Sequence, residues 1–261
     1  MNWAQKRKLA YVMGVLLVLA GGLSLIVHNA TKVAPTCYDH KQNQGEVGPD
    51  CGGPCTFYCV NELKDPVVRW KKLFKITPGV YHAVAYIEHG NPTAAARLVA
   101  YTFKVYDEKN TLITERSGTT FLGPMGRTAL VETLIRTGNI VPDPTRTQFT
   151  FTAVIPWEKI PVDFSQVVIK TDRTLLEPGT NTTRLTATLE NTSRYTFSNL
   201  DVDAILYDKD DNAIASSKAL LLSLPGESSQ IVYFTWPFAM PVPVIRIEVL
   251  PRFNPFTATP L

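Results

Sequence analysis

The segment Asp201-Val202-Asp203-Ala204-Ile205-Leu206-Tyr207-Asp208 shows the alternation of a β-strand. Successive side chains of an extended strand point to opposite faces, so Val202, Ala204 and Leu206 are expected to share one face. Val, Ile, Thr, Tyr and Phe recur in similar short runs from Val67 onward, and turn residues separate these runs. The sequence therefore predicts a mainly β body.

The predicted strands form two series at intervals that are typical of a β-sandwich. The strands of the first series are Val67–Ile76, Tyr81–His89, Leu98–Asp107, Leu112–Ser117, Thr128–Ile135 and Gln148–Ile155. The strands of the second series are Val167–Thr171, Arg184–Glu190, Leu200–Asp208, Ala213–Leu222, Ser228–Trp236 and Val244–Leu250.

The two series repeat one pattern. In each, an asparagine precedes a strand that ends in Tyr-Asp, and a proline stands 17 residues past that aspartate. Asp and Asn accept the backbone conformations of a tight turn, so the Tyr-Asp step predicts a hairpin. We therefore expect two tandem β-sandwiches of one type, over residues 65–160 and 161–261. The matching residues are Asn91, Tyr106, Asp107 and Pro124 in the first series and Asn191, Tyr207, Asp208 and Pro225 in the second.

The second series resembles the FxLYD-type immunoglobulin-like family of prokaryotic envelope proteins. The residues that match are Leu189-Glu190-Asn191-Thr192-Ser193, Val202 to Asp208, and Leu224-Pro225-Gly226-Glu227-Ser228. Ile205-Leu206-Tyr207-Asp208 stands where the family often has Phe-x-Leu-Tyr-Asp, and the first series matches less well, through Phe103-Lys104-Val105-Tyr106-Asp107. The resemblance implies immunoglobulin-like β-sandwiches. Members of the family are not enzymes as a class, so it implies no catalytic residue.

The N-terminal region predicts a membrane-spanning helix. Leu9 to Val27 is a run of 19 residues without a charged side chain, about 28 Å long as a helix and close to the thickness of a bilayer core. Lys6-Arg7-Lys8 precedes it, and basic residues favour the cytoplasmic side. We expect a cytoplasmic basic tail over residues 1–8 and a transmembrane signal-anchor over residues 9–28. The body then lies outside the cytoplasm, and residues 9–27 contact the membrane.

A cleaved signal peptide is the alternative interpretation, since it also has a short basic region and an apolar core. A signal peptidase needs small residues at two positions before the cut. Ala30 has His28 at the first of these positions, and Ala34 has Lys32. We therefore predict a permanent single-pass anchor.

A cysteine-rich segment, residues 29–64, connects the helix to the body. It is poor in aliphatic residues between its cysteines, so it cannot form a hydrophobic core of its own. Outside the cytoplasm an even number of cysteines predicts disulfides, and three pairings are possible. A tetrahedral zinc site is the alternative, although the spacings of 13, 3 and 3 residues differ from the usual Cys-x2-Cys hooks. The cysteines are Cys37, Cys51, Cys55 and Cys59.

The same segment contains oxygen-bearing side chains that raise a calcium hypothesis: Asp39, Asn43, Glu46 and Asp50. Calcium prefers a cage of such oxygens, but the spacing is not that of an EF-hand. A solvated loop with ordinary turn chemistry is the alternative.

The string from Cys37 to Cys55 resembles a short motif of bacterial surface and secreted proteins, Cys-x-Asp-Gly-x-x-Asn-x-x-Glu-x-Gly-x-Asp-Cys-Gly-Gly-x-Cys. The chain departs from it at His40, where Gly is usual, and at Pro49, where an aliphatic residue is common. The resemblance implies an extracytoplasmic location and a small crosslinked knot, and it implies no reaction.

The sequence offers no catalytic motif for hydrolysis or phosphate binding. His82 and His89 are seven residues apart on one predicted strand, so they lie on opposite faces, and we expect surface histidines. Trp70, Trp157 and Trp236 are expected in the sandwich cores or between the sandwiches, with a carbohydrate platform as the alternative. The net charge is +3, and no basic face with interleaved aromatic residues indicates nucleic-acid binding.

These features predict a membrane-anchored, non-enzymatic structural or protein-interaction protein of the cell envelope, acting in adhesion or in the assembly of an envelope complex. Its partner is expected to be another envelope protein, and no cofactor is expected. A metal- or ligand-binding sensor centred on residues 37–59, with calcium or zinc, is the alternative.

Overall fold

The structure is a computed structural model of the 261-residue chain. It describes residues 2–30, 36–124, 126–160 and 167–261, and among these the side chains of residues 28–30 are left aside. The predicted boundary between the two sandwiches lies at residues 161–166, outside the described residues. The chain divides into two compact units, Met1–Cys55 and Thr56–Leu261.

The first unit contains the helix α1, Trp3–Ala30. The most apolar 18-residue window within Trp3–Val27 has a mean hydropathy of 2.4, and no residue of this window is buried. Hydrophobic side chains all round a helix are typical of a membrane span or a signal sequence. By length and composition the helix can cross a membrane, as the apolar run predicts.

The second unit is built from strands, and its first half contains β1 to β7. Their bounds are β1 Val67–Thr77, β2 Val80–His89, β3 Ala94–Tyr106, β4 Leu112–Leu122, β5 Gly126–Arg136, β6 Gln148–Phe151 and β7 Glu158–Lys159. The second half contains β8 Ile169–Pro178, β9 Thr183–Asn191, β10 Tyr195–Tyr207, β11 Ala213–Leu224, β12 Ser228–Trp236, β13 Arg246–Arg252 and β14 Thr259–Pro260. All the strands expected from the sequence are present, and the short β7 and β14 are additional.

The strands form four antiparallel sheets. In the first sandwich, the order β1-β2-β5 defines what we name the inner sheet, and β4-β3-β6 defines the outer sheet, with β7 beside β3. In the second sandwich, β11-β10-β13 is the inner sheet, with β14 beside β10, and β12-β9-β8 is the outer sheet. Each strand from β1 to β7 therefore has a counterpart seven places later with the same pairing partners. The mainly β fold with two tandem β-sandwiches is confirmed.

The repeated Tyr-Asp step forms the same hairpin turn in both sandwiches. The Asp107 carboxylate accepts the backbone N–H groups of Lys109 and Thr111 at 2.9 and 2.7 Å. The Asp208 carboxylate accepts those of Asp210 and Asn212, both at 2.9 Å. A left-handed residue follows in each turn, with φ of 63° at Asn110 and 59° at Asp211. The sequence repeat is thus a repeat of local geometry.

The inner sheets of the two sandwiches pack against each other. Each sandwich has its own hydrophobic core between its two sheets. A third buried cluster joins β1, β2 and β5 to β10, β11 and β13, and we name it the seam. The buried members of the seam are Phe74, Val84, Tyr86, Ala129, Val131, Ile205, Tyr207 and Ala213. The four sheets therefore form four successive layers.

The strands β2 and β10 are buried on both faces because they lie in the middle of this stack. On β10, Val202, Ala204 and Leu206 face the core of the second sandwich, as the alternation predicts. Ile205 and Tyr207, on the opposite face, belong to the seam. Alternation alone does not predict this second burial.

Three of the four tryptophans, those of the β body, occupy apolar positions, as expected. Trp236 lies in the core of the second sandwich. Trp70 packs against the seam. Trp157 lies in a small cluster beside the first sandwich, together with Tyr58 and Leu63. Part of the predicted cysteine-rich segment, from residue 56 to residue 64, is therefore packed as part of the second unit.

Candidate functional site

All four cysteines are disulfide-bonded, and none of them is free. Cys37 pairs with Cys55, with their Cα atoms 5.6 Å apart. Gly53 has a φ of 51°, and a Cβ there would collide with the backbone of Gly45. The Gly52-Gly53 step is therefore required by chain geometry. The predicted disulfides are confirmed.

The structure connects the four predicted calcium ligands by hydrogen bonds. Asp50 accepts the backbone N–H of Asp39 at 2.9 Å. Asn43 donates its side-chain amide to Asp39 at 2.9 Å, which lowers the pKa of that carboxyl. Glu46 accepts the backbone N–H of Asn43 at 3.2 Å. These carboxylates thus stabilise the loop, and calcium binding stays a prediction.

Zinc does not fit the sulfur atoms of this segment. Within the described residues, the only group of three candidate metal ligands is Cys37, Glu46 and Cys55. Zinc binds thiolates, and these two sulfur atoms are bonded to each other. The oxidised segment therefore offers a zinc ion one carboxylate and no thiolate at this position.

An open cleft of about 680 Å³ with polar walls lies beside the seam in the second unit. β1, β2 and β5 of the first sandwich supply one wall, and β10, β13 and the turn after β10 supply the other. The first wall consists of Arg69, Trp70, Tyr86, Glu88 and Arg127. The second consists of Tyr207, Asp211, Arg246 and Glu248.

Glu248 is the centre of this cleft and connects the two sandwiches. Tyr86 of the first sandwich donates its hydroxyl to Glu248 at 2.6 Å. Tyr207 donates to the same carboxylate at 2.9 Å, and Arg246 donates at 3.2 Å. Hydrogen bonds to a charged group are stronger than neutral ones, so this three-donor arrangement fixes both tyrosines.

Burial and the neighbouring Glu248 raise the pKa of Tyr86 and of Tyr207. Both phenols are therefore protonated at neutral pH, so they act as hydrogen-bond donors and not as bases or nucleophiles. The geometry of the cleft favours binding over proton transfer.

Aromatic and cationic groups cover the cleft walls. The Trp70 and Tyr86 rings stack with their centroids 5.2 Å apart. The Arg246 guanidinium lies 3.5 Å from the centroid of the Tyr207 ring and pairs with Asp211 at 2.7 Å. Both contacts hold long side chains in fixed positions along the wall.

Arg127 differs from the other two arginines of the cleft. Arg69 pairs with Glu88 at 2.6 Å, and the hydrogen bond from Arg69 lowers the pKa of that carboxyl. Arg246 pairs with Asp211 and Glu248. In the part of the chain that the structure describes, no carboxylate lies within ion-pair distance of Arg127, although its charge helps Arg69 to lower the pKa of the nearby Glu88. Arg127 also interacts with the Tyr86 hydroxyl. The cleft therefore offers one cation to a carboxylate or another acceptor of a bound molecule.

A second polar group lies deeper in the seam, around Asp203. Asp203 is fully buried, and neither of its carboxylate oxygens has a hydrogen-bond partner among the described residues. Its nearest cation is Arg252, at 3.8 Å, and Arg252 also pairs with Asp201 at 3.5 Å. Burial raises the pKa of Asp203 to about 7, against the opposing effects of Arg252 and Lys218. This carboxyl group therefore changes its protonation state near neutral pH.

The expectation of two surface histidines is wrong for His89. His89 is only 7% exposed, and the centroid of its ring lies 5.4 Å from that of the Trp157 ring. His82 lies on the opposite face of β2, as predicted, with its Nδ1 3.2 Å from the backbone oxygen of Ser216. Burial lowers the pKa of both rings. The cause is the central place of β2, which leaves neither face open.

Sequence reasoning missed the cleft because its residues are distant along the chain. Tyr207 belongs to the repeated Tyr-Asp step, which predicts a turn but gives no partner for the hydroxyl. The near-continuous apolar run from Ala83 to Ile87 was the available signal, since such runs indicate a strand covered on both faces.

No protein-family model matches the chain, and no curated protein matches it. The resemblances to the FxLYD family and to the cysteine motif therefore stay predictions.

The chain has a distant similarity to several solved structures, two of which are glycosyl hydrolases. One is a glycosyl hydrolase family 2 member from Bacteroides cellulosilyticus, with 11% identity over 85% of this chain and 32% of that chain, at a TM-score of 0.27. The other is a GH2 β-galacturonidase from Eisenbergiella tayi bound to glycerol, with 10% identity over 76% of this chain and 42% of that chain, at a TM-score of 0.23. The chain spans less than half of either protein. Similarity at these TM-scores supports no conclusion about fold or activity.

Proposed function

We propose that this chain is a membrane-anchored, non-enzymatic interaction protein that presents its two sandwiches outside the cytoplasm to a protein partner in the cell envelope. Residues 9–27 are the anchor, and the basic tail over residues 1–8 is cytoplasmic. The observation that carries the proposal is the seam, because it joins the two sandwiches through buried side chains of both inner sheets.

The seam supports a display role through its rigidity. Ile205 is fully buried in it, and Lys72 of the first sandwich donates its ammonium to the backbone oxygen of Ala213 at 2.7 Å. Domains joined only by a linker usually move relative to each other, whereas a buried apolar interface restricts that motion. A fixed pair of sandwiches holds its loops and edges at constant separation, which suits the recognition of one partner surface.

The cleft is the docking position that we propose. Arginine and aromatic side chains dominate the energetics of protein interfaces, and this cleft combines three arginines with Trp70 and two tyrosines. Arg127 is the group that we expect to contact an acidic side chain or a terminal carboxylate of the partner.

Crosslinking in intact membranes tests this proposal. The full chain is expressed with an affinity tag, the membranes are crosslinked, and the captured proteins are identified. We expect one specific envelope protein, and we expect Arg127→Glu to reduce its recovery at least about tenfold, since a reversed charge faces the partner's carboxylate. Arg136→Glu is the matched control, because Arg136 lies on the same strand but is exposed outside the cleft.

Two results would contradict the proposal or part of it. Capture of no specific protein, together with hydrolase activity of the purified full chain in detergent, contradicts the proposal. Equal recovery with Arg127→Glu and Arg136→Glu contradicts the cleft as the docking position.

A further inference from the structure

The outer sheet of the second sandwich exposes an apolar patch on its outward face. Leu175 is 57% exposed, Ile231 is 50% exposed and Tyr233 is 68% exposed, although each lies within a regular strand. The opposite face of the same sheet is buried in the core of the sandwich. Contiguous exposed apolar side chains on a flat sheet face indicate an interaction surface.

The pairing register arranges this face in four rows across β12, β9 and β8. One middle row consists of Tyr233, Thr186 and Leu175, and the other consists of Ile231, Thr188 and Arg173. The row at one end is Thr235, Arg184, Glu177, and the row at the other end is Ser229, Glu190, Lys170. The two end rows each carry one positive and one negative charge, and the order of these charges along β9 and β8 is opposite at the two ends. The two middle rows contain three large apolar side chains, two threonines and Arg173.

This order makes the face complementary to itself. Consider two such sheets face to face, related by a twofold axis that runs between them and perpendicular to their strands. Each strand then lies against the same strand of the other copy, in the opposite direction. The Arg184 row of one copy then faces the Glu190 row of the other. Arg184 meets Glu190, Glu177 meets Lys170, and Tyr233 meets Ile231. Thr186 meets Thr188, and Leu175 meets the aliphatic stem of Arg173. A twofold interface needs such self-complementarity.

We propose that the outer sheet of the second sandwich binds a second copy of this chain through this face, in a twofold dimer with the strands antiparallel. The interface contains Leu175, Arg184, Thr186, Glu190, Ile231 and Tyr233. The dimer does not depend on the proposed envelope partner, which binds elsewhere.

The first sandwich shows why this face needs a cover. Its equivalent sheet, β1-β2-β5, has its outward face buried in the seam. Counting from the equivalent residues Asn91 and Asn191, the seam residue Tyr86 corresponds to Thr186. The inner sheet of the second sandwich covers the outward face of β1-β2-β5, and nothing in the described residues covers the outward face of β12-β9-β8.

The remaining free sheet face of the chain fits the patch less well. The outward face of β4-β3-β6 has Thr102 bonded to Ser117 and Lys104 paired with Glu115. The exposed large apolar side chains of β3 and β4, Leu98 and Leu112, lie on opposite sides of the Lys104–Glu115 pair and so form no continuous complement to Tyr233. A second copy of the same outer sheet offers both apolar and charged complements.

The patch is small for a stable complex in solution. Strand spacing and row spacing give it an area of roughly 300 Å² per copy, whereas stable complexes bury about 800 Å² per partner. We therefore expect a weak dimer that forms at high local concentration, which tethering to a common membrane supplies.

The test uses two full-length copies with different affinity tags, co-expressed and crosslinked in the membrane. The measured quantity is the amount of mixed-tag dimer recovered. Arg184→Glu in both copies places glutamates opposite each other, and Glu190→Arg in both copies places arginines opposite each other. We expect each to reduce the mixed dimer at least about fivefold.

The decisive combination pairs one copy that carries Arg184→Glu with one that carries Glu190→Arg. Every facing pair is then oppositely charged again, so we expect the mixed dimer to return to the wild-type amount. Lys104→Glu on the other free sheet is the control and leaves the dimer unchanged. Thermal unfolding confirms that each variant is folded. Absence of a wild-type dimer, an unchanged dimer in the single variants, or loss without restoration overturns the proposal.

Discussion

The two sandwiches have the same topology, yet the same strand has opposite surroundings in each. β3 and β10 are the central strands of corresponding sheets, and Lys104 and Ile205 stand at corresponding positions, two residues before the shared Tyr-Asp step. The Lys104 side chain is 41% exposed, whereas Ile205 is fully buried. A repeated sequence pattern therefore specifies the sandwich, and the neighbouring layer decides which outward face becomes a core.

The largest expected difference between the copies is at this pair of positions. Ile205→Ala removes a fully buried side chain from the seam and is expected to destabilise the second unit by about 2–5 kcal/mol. Lys104→Ala removes an exposed ion pair with Glu115, 3.5 Å long, and is expected to cost less than about 1 kcal/mol. Urea denaturation of both variants measures the two values. Similar costs would mean that the seam contributes little stability.

The two corresponding asparagines, Asn91 and Asn191, show a second difference between the sandwiches. Asn191 donates its amide to the backbone oxygens of Tyr195, Leu224 and Pro225 and accepts two bonds from Ser193. Asn91 exchanges two bonds with the backbone of Lys64.

We expect Asn191→Ala to cost about 2–3 kcal/mol and Asn91→Ala about 1 kcal/mol, because more buried backbone groups lose their partner at Asn191. Chemical denaturation of the two variants measures the difference. A larger cost at Asn91 would contradict this ranking.

Asp203 makes the second sandwich sensitive to pH at a position where the first has Thr102. Its folded pKa is about 7, above the model-peptide value of 3.8. The folded chain then binds more protons than the unfolded chain between about pH 4 and pH 7. Its contribution to stability is therefore largest at low pH, falls as pH rises through that window, and levels off above it.

Asp203→Asn replaces the carboxyl with a neutral group of the same shape. Between pH 5 and pH 8 we expect the wild type to lose on the order of 2–3 kcal/mol of unfolding free energy relative to this variant. The nearby charges Asp201, Lys218 and Arg252 are present in both proteins, and so are the histidines. Denaturation at both pH values measures the difference, and parallel pH profiles would show that Asp203 ionises freely in the seam.

The smallest expected difference is at the shared turns. Asp107→Ala and Asp208→Ala each remove two bonds to backbone N–H groups, and Asp208→Ala also removes an exposed side-chain bond from Asn212, 3.2 Å long. Each is expected to cost about 0.5–1.5 kcal/mol, with the two values equal within about 0.5 kcal/mol. Asp210→Ala is the control. Clearly unequal values in thermal unfolding would show that the turns are not equivalent.

Much of the fold could be predicted from the sequence. Alternation placed Val202, Ala204 and Leu206 on one face, and the Tyr-Asp repeat placed the two hairpins. These are local properties of the chain, so periodicity and turn chemistry are sufficient to find them. The disulfides were predictable from the even number of cysteines and from the composition of the segment around them, but the pairing of the cysteines was not.

The seam and the cleft could not be predicted in the same way. Ile205 and Val84 lie more than a hundred residues apart, and no local pattern states that two outward faces meet. The Tyr86–Glu248 bond depends on that meeting, so the candidate site follows from the tertiary arrangement. Asp203 taken alone predicts that this face of β10 is exposed, because an aspartate in an alternating strand is typical of a solvent-exposed face.

We expect the seam to join the two sandwiches into one cooperative unit, and hydrogen exchange of the full chain under increasing denaturant measures this cooperativity. We predict that β2 of the first sandwich and β10 of the second lose protection together, in one cooperative step, and that Ile205→Ala shifts both strands to lower denaturant by the same amount. Separate exchange transitions for β2 and β10, or a shift confined to β10, would contradict the account.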